Sequence, residues 1–295
     1  MTRMRPLRLL VVEGNPKAMR ERHAAVSGQT PSAFYSDVLT RLTAAEKLEA
    51  TIDVCYPADE GANLPDGAGV GSYDGVVITG SGLNLWKSER ESLVQVDFAR
   101  TIYDAGVPFF GSCWGLQVAA AAAGGEVKLN RRGREIGIAR SIHLTDAGRD
   151  HALHAGRAQV FDAPAIHSDE VAAVPPGATV TAVNDLCAVQ AAEIRHGNGV
   201  FWGVQFHPEY TFAELGGILT RYTPIMLEEG FFRDGAEAAA YIADLVALDA
   251  DPDRKDVAWR LGVAPSVLDP TIRRTELINW ITRQVLPAVS ARTRG

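Results

Sequence analysis

Across residues 1–130, apolar runs of strand length alternate with stretches whose apolar residues recur at helical spacing, and this alternation commits the chain to an α/β architecture. Leu9-Leu10-Val11-Val12 runs into a turn at Glu13-Gly14, and residues 51–56, 75–79 and 107–111 make three further strands. Between them, Tyr35, Val38, Leu39 and Leu42 mark one helix, with Ser32 as its N-cap. Leu93, Val94, Val96, Phe98, Ile102 and Tyr103 mark another, and residues 116–123 form a helix of small residues. Strands that are apolar throughout, rather than on alternate positions, are buried on both faces, so the pattern predicts a mostly parallel sheet with helices on both sides. Loops are expected from Gly14 to Gly28 and over residues 61–71.

After Gly124 the pattern changes. Residues 136–142, 158–161, 179–184, 188–194 and 200–206 read as strands without long helices between them, and His196-Gly197-Asn198-Gly199 reads as a hairpin turn. From Phe212 the chain is helical, with apolar spacing over residues 236–247, 256–261 and 271–286. Residues 256–268 have a faint helix-turn-helix pattern with Gly262 at the turn; terminal helices packed on the core are the alternative. The residues from Ser290 to Gly295 are expected to fray. A chain of 295 residues, 46% of them hydrophobic, buries a large core. The expected division is a domain over residues 1–230 and a helical extension over 231–295 packed on it.

The formal net charge of −7 disfavours nucleic acid as a partner, because phosphate binding needs a concentrated basic surface. The one basic run, Arg131-Arg132-Gly133-Arg134, reads as a solvated loop. Three cysteines do not make a disulfide framework, and no His/Cys cluster has metal-ligand spacing; His151 and His154 lack further ligands nearby. No metal or cofactor is expected. No stretch has the length of a membrane span, and the basic start at Met1 lacks an apolar export region. A reducing, cytoplasmic setting follows as an expectation, and it suits a free thiol.

One cysteine stands apart. In Phe110-Gly111-Ser112-Cys113-Trp114-Gly115-Leu116-Gln117 an apolar strand enters Gly-x-Cys-x-Gly and a helix begins at once, as a nucleophile elbow requires. The glycines let the strained turn pass close to strand and helix, and the helix N-terminus favours thiolate. A second signal is Gly203-Val204-Gln205-Phe206-His207-Pro208-Glu209, where a histidine ends a strand and a carboxylate two positions on stands ready to hold its tautomer. Thr79-Gly80-Ser81-Gly82 follows a strand and offers backbone N–H groups to an oxyanion; it lacks the ending of a phosphate loop. In Ala165-Ile166-His167-Ser168-Asp169-Glu170-Val171, His167 is a competing base and Asp169 a competing carboxylate, which spacing alone does not exclude.

With these motifs in order, the chain resembles the class I (triad) glutamine amidotransferases, and most of all the glutaminase domain of GMP synthase and its free-standing relatives. The matching stretches are VVITGSG, GSCWGLQ, REIG, IHSDEV and VQFHPE, spread over roughly residues 8 to 230. The resemblance implies a flavodoxin-like α/β fold with Cys113 as nucleophile, His207 as base and Glu209 as third triad member. It also implies an oxyanion hole at the Ser81 and Trp114 N–H groups. Gly80, Gly82, Gln117, His167 and Ser168 fall at the positions that hold the substrate, glutamine or another γ-glutamyl amide. Many relatives have Gly-Gly-Pro where this chain has Gly80-Ser81-Gly82, and the segment after the first strand, residues 13–31, is long enough to cover the site. No ATP-pyrophosphatase domain follows the motifs, residues 231–295 being too short and too helical for one. The motifs favour a glutaminase that passes ammonia to a separate synthetase in trans. The alternatives are a stand-alone hydrolase of γ-glutamyl peptides or amines, and a non-catalytic regulatory protein on the same fold.

Overall fold

The computed structural model describes residues 5–60, 64–65 and 68–292. The basic start at Met1, part of the loop expected over 61–71 and the last three residues of the tail expected to fray lie outside these. The first half runs β1 (Leu7–Val12), α1 (Lys17–Ser27), α2 (Pro31–Ala45), β2 (Ala50–Cys55), β3 (Gly75–Ile78), α3 (Arg90–Ala105), β4 (Phe109–Ser112) and α4 (Trp114–Ala122). There follow β5 (Glu126–Leu129), β6 (Glu135–Leu144), α5 (Asp146–Arg149), β7 (Val160–His167), β8 (Asp169–Ala173), β9 (Ala178–Val183), β10 (Ala191–His196) and β11 (Gly199–Val204). Nine strands form one sheet in the order β2-β1-β3-β4-β11-β10-β9-β6-β7. The strands from β2 to β11 pair in parallel, and β10, β9, β6 and β7 extend the sheet antiparallel. The short pair β5 and β8 stands apart and escaped the sequence reading.

The period-two geometry of a strand sorts β1 between two cores. Leu10 and Val12 pack with Val76 and Ile78 beneath Val96, Ala99 and Ile102 of α3 and Leu116 and Ala119 of α4. Leu7, Leu9 and Val11 face the other way, toward Tyr35, Val38 and Leu39 of α2. Two expectations are corrected nearby. The span after β1 is not all loop, because α1 occupies Lys17–Ser27, a polar helix with only His23 buried. The cap of α2 is Thr30, whose hydroxyl accepts from Ala33 N–H with Pro31 at the first position. Ser32 is buried, and its N–H donates to the Glu13 carboxylate.

The C-terminal region is α6 (Phe212–Glu228), α7 (Gly235–Ala250), α8 (Lys255–Leu261), α9 (Pro265–Leu268), α10 (Pro270–Arg273), α11 (Thr275–Asn279), a π-helical turn (Trp280–Val285) and α12 (Leu286–Arg292). The continuous helix expected over 271–286 is therefore broken. Ser290 to Arg292 do not fray: they form the last turn of α12, and the Arg292 guanidinium donates to the Tyr73 and Asp74 carbonyls. Helices α6 to α9 build a third core around Leu215, Leu245, Val257 and Val267, against Ile138 of β6. The faint helix-turn-helix is α8 and α9, and its turn at Gly262 is held to β6 by Arg140, which donates to the Leu261 and Gly262 carbonyls. No helix of the described residues is long and apolar enough to cross a membrane.

Leu277, Trp280, Ile281 and Val285 complete the same core as β1 and α2. Trp280 is fully buried against Phe110, with ring centroids 6.1 Å apart, and lies so close to Gly75 that a Cβ there would stand 2.8 Å from the indole. Nearby, Glu276 is fully buried, and His154 and Arg157 hold its carboxylate. Burial alone would raise this carboxyl, but the Arg157 charge and the hydrogen bonds outweigh it and hold the group at about 2. Trp280→Ala leaves a large void under the parallel sheet. It is expected to lower stability by about 3–5 kcal/mol, read as a fall in the urea midpoint.

Candidate active site

The site forms where β3, β4 and β11 end. Pairing of β4 with β11 sets Gly203 opposite Gly111 and Val204 opposite Ser112, so Cys113 and the segment carrying His207 leave the sheet side by side. Cys113 caps α4 with φ 51° and ψ −100°, a conformation that costs a non-glycine residue roughly 1–3 kcal/mol. Its N–H donates to the Val204 carbonyl at 2.8 Å, which fastens the strained turn to β11. The flanking glycines are required by contact: a Cβ on Gly111 would lie 2.7 Å from the Gly115 backbone, and one on Gly115 would lie 2.7 Å from the Ile78 carbonyl.

His207 is buried and held from several sides, with Nε2 facing the cavity side unbonded among the described residues. Its Nδ1 faces Glu209 Oε1 at 2.7 Å, its ring stacks on Tyr210 with centroids 4.1 Å apart and planes 4° apart, and its backbone N–H donates to the Pro164 carbonyl of β7. The remaining face abuts Gly80, where a Cβ would stand 2.7 Å from the imidazole Cε1. Gly80 thus makes room for the ring. The second oxygen of Glu209 accepts from the Ser112 hydroxyl at 2.9 Å. Since that hydroxyl spends its proton on Glu209, Tyr35 donates to Ser112 at 3.0 Å. The sequence reading missed Ser112 and Tyr35, which carried no signal beyond belonging to a strand end and a helix.

The competing pair is occupied elsewhere. His167 Nδ1 meets the Asp169 carbonyl at 2.9 Å and its Nε2 meets Glu135 Oε2 at 2.9 Å, so neither nitrogen is left to serve as a base. Glu135 also accepts from Asn184 and Gln190. Asp169 accepts from Asn84 and from the Trp86 indole, tying down the chain after β3. Arg134 turns inward instead of standing in solvent, and pairs with Glu229, the residue that caps the end of α6.

The loop after β3 is held from β1. Asn15, also missed, accepts through Oδ1 from the Gly82 N–H at 3.1 Å and from the Ser81 hydroxyl at 3.2 Å. The Gly82 N–H is thereby spent inside the protein. Glu13 in turn accepts from the backbone and side chain of Asn15. The Trp114 indole donates to Gln95, which donates to the Gly14 carbonyl. Gln117 reaches the Asp169 carbonyl at 3.2 Å.

Two adjoining cavities meet at Cys113, Ser81, Gly82, Ile166 and Tyr222. One continues past Gln117, Arg134, His167 and Ser168. The other continues past His207, Tyr210, Asn15, Met19, His23 and Arg221. The segment after β1 therefore covers the site through α1. Cys113 sits at the junction with its Sγ 3.5 Å from the Ile166 carbonyl. Burial raises its thiol above the ordinary range, and the Glu209 and Asp169 charges raise it further; the Trp114 N–H at the helix start opposes them without prevailing. The pull of the helix N-terminus toward thiolate is outweighed, and burial together with both charges favours the protonated thiol. Cys55 and Cys187 are buried and free, as expected. Among the described residues no group of three or more His, Cys, Asp or Glu side chains is gathered to hold a metal.

Residues 40–221 match the family model of glutamine amidotransferase class-I. A Pseudomonas sp. protein named gamma-glutamyl-L-1-hydroxyisopropylamide hydrolase is 34% identical over 96% of this chain and 95% of its own length. A GMP synthase [glutamine-hydrolyzing] of Pseudoalteromonas atlantica is 41% identical, but over 39% of this chain and 22% of that protein. The solved glutamine amidotransferase of Thermotoga maritima shares the fold with a TM-score of 0.64 at 16% identity, covering 96% of this chain and 99% of that one. Alkylation of Cys113 by iodoacetamide is expected to keep accelerating with pH through and beyond 9, the ordinary thiol value. A rate that levels off near neutrality would show a preformed thiolate instead.

Proposed function

The chain belongs to the class I glutamine amidotransferase family, and on that premise we propose that it is a self-contained hydrolase of γ-glutamyl amides, releasing glutamate and a small amine. The observation that carries this reading is the extent of the match to the Pseudomonas hydrolase, which runs through the C-terminal helices as well as the motifs. The GMP synthase likeness, which favoured ammonia transfer to a synthetase, stops at part of this chain and about a fifth of that protein.

In the proposed cycle His207 Nε2 takes the Cys113 proton as the sulfur attacks the γ-carbonyl carbon. Glu209 steadies the resulting imidazolium, and its bond to Nδ1 fixes the tautomer that leaves Nε2 free. The protonated resting thiol makes this base necessary. The Ser81 and Trp114 N–H groups receive the oxyanion, the latter already directed at the sulfur. Collapse breaks the C–N bond while His207 returns its proton to the amine. Water, deprotonated by His207, then attacks the γ-glutamyl thioester, releasing glutamate and restoring the thiol. Gly80 serves by admitting the imidazole, and Gln117, His167 and Ser168 shape the glutamyl side of the cavity.

Purified chain without any partner is expected to release amine from γ-glutamyl alkylamides faster than ammonia from glutamine, with both activities abolished in Cys113→Ala. Glutamine as the better substrate, with turnover rising when an ATP-dependent ligase is added, would restore the ammonia-transfer reading. Activity that survives Cys113→Ala would end the nucleophile assignment. Glu209→Gln keeps the hydrogen-bond partner but loses the charge that stabilises the imidazolium, so kcat is expected to fall by about 10²–10⁴ with the fold intact by circular dichroism.

A further inference from the structure

The two cavities differ in what surrounds them, and the difference assigns the ends of the substrate. This step rests on the hydrolase reading. The group that protonates the departing nitrogen must stand beside it. His207 lines only the cavity that runs toward α1 and α6, while Gln117, His167 and Ser168 line only the other. The scissile carbon lies over Cys113, where the two meet. The glutamyl part therefore occupies the Gln117 side and the departing amine the α1/α6 side.

The amine side is walled by Met19, Tyr210, Ile218 and Tyr222, and by two arginines, Arg22 and Arg221. Arg221 is part-buried, and its hydrogen bond from Nη2 goes to a neutral acceptor, His23 Nδ1, at 2.8 Å. That bond fixes the other ring nitrogen of His23 as the donor to Glu214 at 2.8 Å. Glu214 and Arg221 are seven residues apart on α6, and His23 spans the two turns between them from α1, setting the guanidinium's position. Among the described residues neither Arg22 nor Arg221 has a carboxylate within ion-pair distance, although the arginine at the far cavity, Arg134, has one. Arg221 Nε is buried with no partner at all. A part-buried guanidinium held in place without a counter-charge is poised for an oxygen acceptor supplied from outside.

We propose that Arg221, assisted by Arg22, is a specificity-determining residue that recognises an oxygen on the departing amine. The substrates are then γ-glutamyl amides whose amine carries a hydroxyl or a carboxylate. Plain alkylamides lack the group that this wall reads.

Three probes of one shape separate the possibilities: γ-glutamyl isopropylamide, its 1-hydroxyisopropylamide and γ-glutamylalanine, which differ only in carrying no oxygen, a hydroxyl or a carboxylate. Wild-type kcat/KM is expected to be at least about tenfold higher for one or both oxygen-bearing probes than for the isopropylamide, the size of effect one hydrogen bond to a charged group supplies. The preferred probe identifies the oxygen as hydroxyl or carboxylate. In Arg221→Met that preference ratio is expected to fall about tenfold or more. Arg22→Gln, at an exposed side chain outside the His23–Glu214 link, is expected to reduce it less. Cys113 labelling by a glutamine-analogue electrophile checks that the variants retain the site. An equal loss on all three probes would place Arg221 on the glutamyl group or in the scaffold and overturn the inference, as would an unchanged ratio in both variants. Failure of the wild type to hydrolyse any probe would instead sink the hydrolase reading beneath it.

Discussion

Parallel pairing of β4 with β11 decides where everything chemical stands. These strands are adjacent in space though some 90 residues apart in the chain, and their register delivers a thiol from one and an imidazole from the other to a common rim. The contacts around that rim leave little room to shift. Gly111 touches Gly115, Gly115 touches Ile78, Gly80 touches His207, and the Cys113 N–H is tied to Val204. A methyl group at any of these glycines would displace backbone or the imidazole, so the geometry is enforced by exclusion as much as by attraction. The outer strand β7 contributes from the far edge of the sheet, offering the Pro164 carbonyl to the His207 backbone and the Ile166 carbonyl to the thiol.

Electrostatics in the rim work against a thiolate at Cys113 and in favour of a positive charge on His207. Two buried carboxylates, Glu209 and Asp169, surround a sulfur with almost no contact with water, and each disfavours a second negative charge. The same Glu209 favours a positive imidazole. In the proposed cycle the charge that the site accepts is a transient pair, cation on His207 and anion moving from sulfur to oxyanion, rather than a standing thiolate. Ser112 and Tyr35 extend this arrangement by holding the carboxylate from behind, so that its remaining lone pairs are satisfied in a dry setting.

Much of this was legible in the residues. Apolar strand runs and helical spacing gave the parallel sheet, because burial on both faces leaves a mark on composition. The elbow and the strand-ending histidine were readable because strained turns demand glycine and a base demands a nearby carboxylate. What escaped notice lacks such marks. Helix α1 buries only His23 and shows no apolar stripe, yet it walls the cavity beside His207. The β5 and β8 pair is short and mostly exposed, with Glu126, Lys128 and Glu170 where alternation would have been sought. The last helical stretch is interrupted by a π-turn over Trp280–Val285, which no local propensity encodes. His207 was already favoured over His167 by its strand end and its neighbouring Glu209; what three dimensions add is that Glu135 and the Asp169 carbonyl hold His167.

The placement of Trp280 bears on how the chain comes into being. One face of the parallel strands is completed by side chains from Leu277 to Val285, which leave the ribosome after every strand of the sheet. While synthesis proceeds, β1, β3 and β4 can pair and α3 and α4 can cover their other side, but the surface around Gly75 and Phe110 stays greasy and open until that segment has emerged. A growing polypeptide in that condition invites association with other nascent chains, and makes chaperone attention most valuable in the interval before that segment arrives.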